Sequence, residues 1–398
     1  MSGAPAAPSA LDAHLNAEQR ALLEDTRRAA HSVFEPVARR GPEGVVDRDL
    51  ILTLASEGLL ARLYAETADG WRPDVSALQL CLIREGLAHG CVEAESAFAM
   101  QGLGGFPLLQ SGTPEALQEW IPQVASGRAA AGFALSEPQA GTDVAGLSME
   151  ARRDGDSWRL SGVKTWISNA PDADIYAVFA RTTPGAGARG LTGFLVPGNS
   201  EGLSGERIEL VAPHPIGRLE FDGVLVPSHY VLGEVDRGFQ VAMRTLDMFR
   251  PSVGAFSLGM AQAALDATVA YVGERQAFGR SLSAQQAIAH RLADLATQLQ
   301  AARLLVHSAA AAYDAGVRPT TQVAAMAKLM ATEVAQQVVD AAVQFHGARA
   351  LERGHPLERL YREVRAPRIY EGASEIQREI IARGLLASPA SAPGERSS

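Results

Sequence analysis

At 398 residues the chain is long enough for two or three structural domains around a well-buried core. Hydrophobic residues make up 47% and charged residues 20%, the balance of a soluble globular protein rather than a disordered one. A formal net charge of −9 argues against a nucleic-acid partner or an anionic membrane engaged through bulk charge, so a phosphate-bearing ligand must be met by local arginines and helix ends.

Cys81 and Cys91 are the only cysteines and lack Cys-x-x-Cys spacing, which leaves no disulfide framework and no zinc site and makes a reducing cytoplasm the default compartment. The Ala/Pro-rich start has no basic stretch followed by an apolar core, so it does not read as a signal peptide, and no apolar run approaches the length of a membrane span. Residues 1–14 and the Ser/Pro-rich tail 388–398 are predicted disordered.

From 15 to 130 the pattern is helical. Leu15, Leu22 and Leu23, then Leu50 to Leu54 after Asp47, recur at helical spacing. Thr113-Pro114 marks a helix start, because proline suits the first helical position. Arg84 and Glu85 interrupt an apolar helix and are expected on its solvent edge. Phe98 and Met100 read as core before they read as pocket lining. Across 131–236 short β-prone runs alternate with Gly, Pro and Asp. Asp154-Gly155-Asp156 between two alternating runs is a hairpin signal. With no helices between them, these strands are expected to pair antiparallel. From 237 to 387 strands give way to long Ala/Leu-rich segments, which predict a four-helix bundle. The fold class expected is therefore α+β: an N-terminal helical domain, a central antiparallel β domain and a C-terminal four-helix bundle.

Familiar sites are missing from the sequence: no Gly-x-Gly-x-x-Gly after a strand, no phosphate-loop motif, no His-Glu-x-x-His and no Gly-x-Ser-x-Gly. His346 and His355 read as structural histidines. Other stretches carry chemistry. In Ile369-Tyr370-Glu371-Gly372-Ala373-Ser374-Glu375-Ile376-Gln377 a carboxylate stands on a turn, and Ser374 with Gln377 is expected to form a capping box on the helix that follows. Partial desolvation there would suit a general base, although the same pattern alone fits an ordinary surface loop. Phe133 to Asp143 is a strand and polar turn whose amides, with the Ser136 and Thr142 hydroxyls, could bond an acceptor-rich aromatic heterocycle. Lys164-Thr165-Trp166-Ile167-Ser168 offers an indole two residues before a hydroxyl. The plainer readings are a core aromatic for Trp166 and a turn residue for Ser168. Arg275-Gln276-Ala277-Phe278-Gly279 ends a helix with a cation suited to a pyrophosphate, and Gln344-Phe345-His346-Gly347 closes another with a glycine open to close approach.

Together these stretches resemble the acyl-CoA dehydrogenase family of flavoproteins, from about Ala17 to Leu386 and in the family's order. The resemblance implies FAD as cofactor, no metal, and removal of the α-proton and β-hydride of an acyl-CoA thioester, with Glu371 matching the catalytic base. A rarer family variant places the base one residue before an arginine on the long helix. That position is Phe249 here, ahead of Arg250, which favours Glu371. Asp247 and Arg250 match residues that contact the pantetheine arm and base region, and Gly372 adjoins the base as a substrate contact. Phe133, Leu135, Ser136, Gly141, Thr142, Trp166 and Ser168 match flavin contacts. Arg275, Phe278, Gln286, Gln344 and Gly347 match residues reaching the ADP portion of FAD across a subunit interface, and Ala373 and Glu375 lie on the helix start beside the cofactor. A homodimer or homotetramer follows, as does an electron-transferring flavoprotein as partner.

The sequence departs from the family pattern at Ala348, Ala373 and Gln139, and the segment 211–218 is shorter than the usual loop. Phe98 and Phe249 suggest a short or branched acyl group. An oxidase or desaturase acting on a carrier-protein-bound acyl thioester stays open as the alternative. A non-catalytic flavin scaffold is disfavoured by the joint presence of Glu371, Trp166 and Arg275.

Overall fold

A computed structural model describes residues 10–67, 70–72 and 75–387. The longer helices of the N-terminal part are α1 (Ala17–Ala29), α2 (Arg48–Ser56), α3 (Ala77–Gly90), α4 (Val92–Ser111) and α5 (Pro114–Ala125). Side chains that accept from orphan N–H groups start them. Asn16 and Gln19 form a reciprocal capping box, Asp47 accepts from Leu50 N at 3.0 Å, and Thr113 caps the helix begun by Pro114. Of the segments expected to be disordered, residues 1–9 and 388–398 lie outside the described residues, while Ala10–Asp12 form a single 3-10 turn.

Arg84 and Glu85 are not on a solvent edge. They are 2% and 0% exposed, because α3 is flanked by helices on both sides and has no wet face to offer them. Each is instead paired inside the protein. Glu85 accepts from Arg303 at 2.8 Å and lies 3.2 Å from His307, and Arg84 donates to Glu95.

The central sheet has eight strands: β1 (Ala131–Ala134), β2 (Glu150–Asp154), β3 (Ser157–Ser168), β4 (Ile175–Arg181), β5 (Leu191–Pro197), β6 (Leu203–Arg207), β7 (Ile216–Pro227) and β8 (Val231–Leu232). Their spatial order is β8-β5-β4-β2-β3-β7-β6, with β1 also on β4. The β2–β3 hairpin turns at Gly155-Asp156, and Gly155 takes φ +58° as that turn demands. Pairing is antiparallel except that β1 runs parallel to β4 and β2 meets β4 at one parallel pair. β1 can run parallel because α4 and α5 deliver it to the sheet from the N-terminal part.

The C-terminal bundle comprises α6 (Gly238–Glu274), α7 (Gln286–Asp314), α8 (Thr321–His346) and α10 (Ser374–Leu386), with the short α9 (Pro356–Glu363) before the last. By length and composition α6 does contain a window apolar enough to cross a membrane, contrary to the sequence expectation, but most of that window is buried among other helices. A Cβ on Gly259 would stand 2.3 Å from the Glu85 carbonyl, and one on Gly254 would stand 2.8 Å from Val306. Those close approaches make α6 a spine shared by α3 and the bundle, so one continuous core joins all three parts.

Candidate active site

Glu371 follows Tyr370 on the turn between α9 and α10 and adopts φ +48°, a conformation that costs a non-glycine residue on the order of 1–3 kcal/mol. Gly372 follows at φ +91°. The strain is held by tertiary bonds. Lys328 of α8, fully buried, donates from Nζ to the carbonyls of Tyr370 at 3.1 Å and Gly372 at 2.7 Å, on either side of the carboxylate. Gln377 Nε2 adds a bond to the Gly372 carbonyl at 2.8 Å.

The expected capping box therefore does not form. Ala373 is the N-cap without a side-chain bond, because Ser374 Oγ donates to Glu333 at 2.7 Å and Gln377 is spent on Gly372.

Glu371 is half-buried, but its Oε2 is wholly buried and has no hydrogen-bond partner among the described residues. Burial raises its proton affinity, and the positive charges of Arg84, Lys328 and Arg250 pull it back. Burial likewise brings Lys328 down to about 8, against the pull of Glu371. Beside them lies a pair the sequence reading missed: Arg84 donates to Glu95 of α4 and, at 2.6 Å, to Ser252 of α6. Burial pushes Glu95 up to about 7 against Arg84, and the nearby charge of Glu371 adds to the rise. An all-apolar neighbourhood around two charged residues on one helix was the available signal, since buried charges must be paired.

Arg250 Nη1 donates to Asp247 Oδ1 at 2.6 Å, while its buried Nε has no partner among the described residues. Phe249 is 1% exposed, and its ring meets Phe106 edge-on at 5.8 Å. Gly102 makes room for it: a Cβ there would lie 2.7 Å from the Phe249 ring. Phe98 is also fully buried.

The second group forms around the turn after β1. Glu137 and Ala140 exchange backbone bonds of 3.0 and 3.1 Å, closing the turn that follows Phe133, Leu135 and Ser136 and leads to Gly141 and Thr142. Glu137 anchors it from behind, accepting from Ser148 N at 2.7 Å, Met149 N at 3.0 Å and Lys164 Nζ at 2.9 Å. Lys164 also donates to the Leu135 carbonyl at 2.9 Å. Burial would raise Glu137, yet Lys164 and these bonds hold it below the usual carboxylate range, and burial brings Lys164 down to about 8. Neither residue was nominated from sequence.

Trp166 sits where the β3–β7 register shifts, at φ +59° and 57% exposed, so it is not a core aromatic. Space in front of Gly141 is open, with nothing within 4 Å of an added Cβ. An exposed indole beside an open polar turn fits a flat heterocycle rich in acceptors. Ser168 Oγ lies 2.9 Å from His214 Nε2. The loop that carries His214 is tied to α9 by Arg362, which donates to the Val211 carbonyl at 3.1 Å. That bond ties the His214 loop to the helix that precedes the Glu371 turn.

The third group stands apart. Arg275, Phe278, Gln286, Gln344 and Gly347 are exposed, and Phe278 at the tip of the 276–281 hairpin is 97% exposed at φ +52°. Tyr271 stacks on His346 at 4.2 Å, which brings the end of α6 to the end of α8. Among the described residues no hydrogen bond or ion pair joins this group to Trp166 or Ser168 in the same protomer. Glu375 is exposed and pairs with Arg378 at 3.7 Å. His346 and His355 are structural: His346 Nδ1 lies 2.9 Å from the Ala342 carbonyl, and His355 caps α9.

A proton-accepting carboxylate and an aromatic-floored polar turn on one chain describe a redox enzyme that takes a planar cofactor. Sequence models of the acyl-CoA dehydrogenase N-terminal, middle and C-terminal domains match residues 16–128, 132–224 and 236–386. The chain is 36% identical over 373 residues to cyclohexane-1-carbonyl-CoA dehydrogenase of Geobacter metallireducens, covering 93% of this chain and 97% of the relative. It is 40% identical over 379 residues to the mitochondrial short-chain specific acyl-CoA dehydrogenase of Bos taurus, covering 93% and 91%. The solved butyryl-CoA dehydrogenase of Megasphaera elsdenii superposes with a TM-score of 0.87 at 33% identity, covering 94% of this chain and 99% of that one. The chain belongs to the acyl-CoA dehydrogenase family. It is an oxidoreductase of CH–CH groups, and its cofactor is FAD.

Proposed function

We propose that this enzyme removes the α and β hydrogens of an acyl-CoA thioester, with Glu371 as the base that takes the α-proton. The observation that carries the reading is the buried, unpartnered Oε2 of Glu371 on a strained turn clamped by Lys328. A carboxylate with a free lone pair, little water and raised proton affinity is suited to a weakly acidic C–H. FAD supplies the acceptor for the β-hydride.

The residues around the base do three things. Lys328 fixes the direction of the turn, Arg250 and Arg84 keep enough positive potential nearby for Glu371 to ionise, and burial keeps its proton affinity raised. Phe133, Leu135, Ser136, Gly141, Thr142, Trp166 and Ser168 hold the flavin ring, and Asp247, Arg250 and Gly372 meet the substrate. Arg275, Phe278, Gln286, Gln344 and Gly347, with Ala373 and Glu375, serve the ADP half of a cofactor shared between subunits. The full exposure of Phe278 supports that assembly as a homodimer or homotetramer. Buried Phe98, Phe106 and Phe249 favour a compact acyl group. Electrons leave to an electron-transferring flavoprotein in the cytoplasm, a compartment that suits two free thiols.

Anaerobic titration of the yellow holoenzyme with a panel of acyl-CoAs tests this. Bleaching by compact acyl-CoAs is expected. Bleaching by none would favour carrier-bound substrates instead.

A further inference from the structure

His214 belongs to no motif of the site described above. It lies on the segment joining β6 to β7, between Pro213 and Pro215, whose rings fix φ on both sides of it. Three further bonds hold the segment: Ile208 N to the Ile216 carbonyl at 2.9 Å, Asn169 N to the Pro215 carbonyl at 2.8 Å, and Arg362 to the Val211 carbonyl at 3.1 Å. Asn169, at φ +64°, is itself anchored by a bond from its side chain to the Ala131 carbonyl at 2.9 Å. The imidazole and the Ser168 hydroxyl thus meet between fixed backbones, Nε2 to Oγ at 2.9 Å.

We infer that His214 is a positioning residue for the cofactor: by engaging Ser168 it fixes the hydrogen bond that Ser168 presents to the flavin, and so biases the enzyme between oxidised and reduced FAD. The inference rests on Ser168 being a flavin contact, as proposed above.

A serine hydroxyl has one proton and can turn it either way. Left alone, it averages its donor and acceptor over the rotor. Held by His214, it has its proton either spent on Nε2 or directed away from the imidazole toward a ligand. If Oγ donates to Nε2, its lone pairs face the flavin and favour the reduced ring, which carries new N–H donors. If Nε2–H donates to Oγ, the hydroxyl proton faces the flavin and favours the acceptor-rich oxidised ring. Either tautomer separates the two redox states. Burial supports this role, since it pushes the imidazole down to about 4 and keeps it a neutral partner with one donor and one acceptor.

The test is the two-electron midpoint potential and visible spectrum of FAD-loaded wild type, His214→Phe, His214→Gln, Ser168→Ala and the Ser168→Ala/His214→Phe double variant. His214→Phe is expected to change the ratio of affinities for oxidised and reduced FAD at least threefold, about 14 mV for a two-electron couple, and to move the flavin bands. His214→Gln, which keeps a polar tip within reach, should recover part of the shift. On a Ser168→Ala background His214→Phe should add nothing. A change below threefold in His214→Phe overturns the inference, as does an equal shift when Ser168 is absent. If Ser168→Ala itself leaves potential and spectrum unchanged, the inference falls together with Ser168 as a flavin contact.

Discussion

Lys328 donates its buried ammonium to the Gly372 carbonyl at 2.7 Å, one residue past Glu371, and to the Tyr370 carbonyl just before it. A lysine on α8 therefore clamps the peptide units on both sides of the carboxylate, and so dictates where that carboxylate points. Replacing Lys328 by Met keeps the volume and removes the clamp. The Tyr370 carbonyl loses its buried donor, which costs on the order of 1–3 kcal/mol, and the Gly372 carbonyl is left with Gln377 alone. The expected result is a kcat/KM lower by at least ~10-fold with FAD still bound, because misplacement of about 1 Å suffices for such losses. Steady-state assay together with the flavin-to-protein absorbance ratio checks both halves.

The acid limb of the pH–rate profile follows from the raised proton affinity of Glu371. A base must be ionised to act, so activity falls as pH drops through its pKa, and burial places that limb above the ordinary carboxylate value of 4.5. Arg84 is the largest of the charges opposing the rise. Arg84→Met should therefore move the limb to higher pH. A kcat/KM profile whose limb stays put within 0.2 unit, roughly a quarter of a kcal/mol, would show that Arg84 does not act on the base.

Glu95 makes a stability prediction of definite sign. Burial raises it from 4.5 in the unfolded chain to about 7 in the folded one. Between those values the folded state holds more protons, so this contribution to stability is complete below about 4.5 and is lost as pH rises through about 7. The span corresponds to about 3 kcal/mol at most. The difference in urea-unfolding free energy between wild type and Glu95→Gln should fall across that window. A pH-independent difference would contradict it.

Behind the turn that follows Phe133, Leu135 and Ser136, Glu137 and Lys164 form a pair 4% and 0% exposed. Removing one partner strands a buried charge, which typically costs about 3–5 kcal/mol. Lys164→Met is expected to lower the thermal midpoint and to weaken FAD retention during gel filtration. Adding Glu137→Gln should restore part of the stability, because the uncompensated carboxylate is gone.

Much of this was legible in the chain. Asp154-Gly155-Asp156 signalled its hairpin because a tight turn needs a residue tolerant of positive φ. Thr113-Pro114 signalled a helix start because proline suits the first helical position, and the caps at Asp47 and Thr113 are added by the structure. Glu371 and Trp166 stood out through sequence context, and the structure adds that both adopt positive φ, a property composition does not carry. What failed was tertiary. Ser374 resembles a cap until Glu333 takes its hydroxyl, and Arg84 and Glu85 resemble surface charges until α4, α6 and α7 surround them. The Ser168–His214 bond joins residues 46 apart through a loop whose path the sequence did not reveal.

Glu371→Gln, followed by anaerobic stopped-flow bleaching of the flavin with whichever acyl-CoA reduces the wild type fastest, tests the role of Glu371 most directly. The substitution keeps the side-chain shape and removes the base. It should bind FAD normally and reduce it about 10²–10⁴-fold more slowly. Bleaching within a factor of two of wild type would show that another group takes the proton.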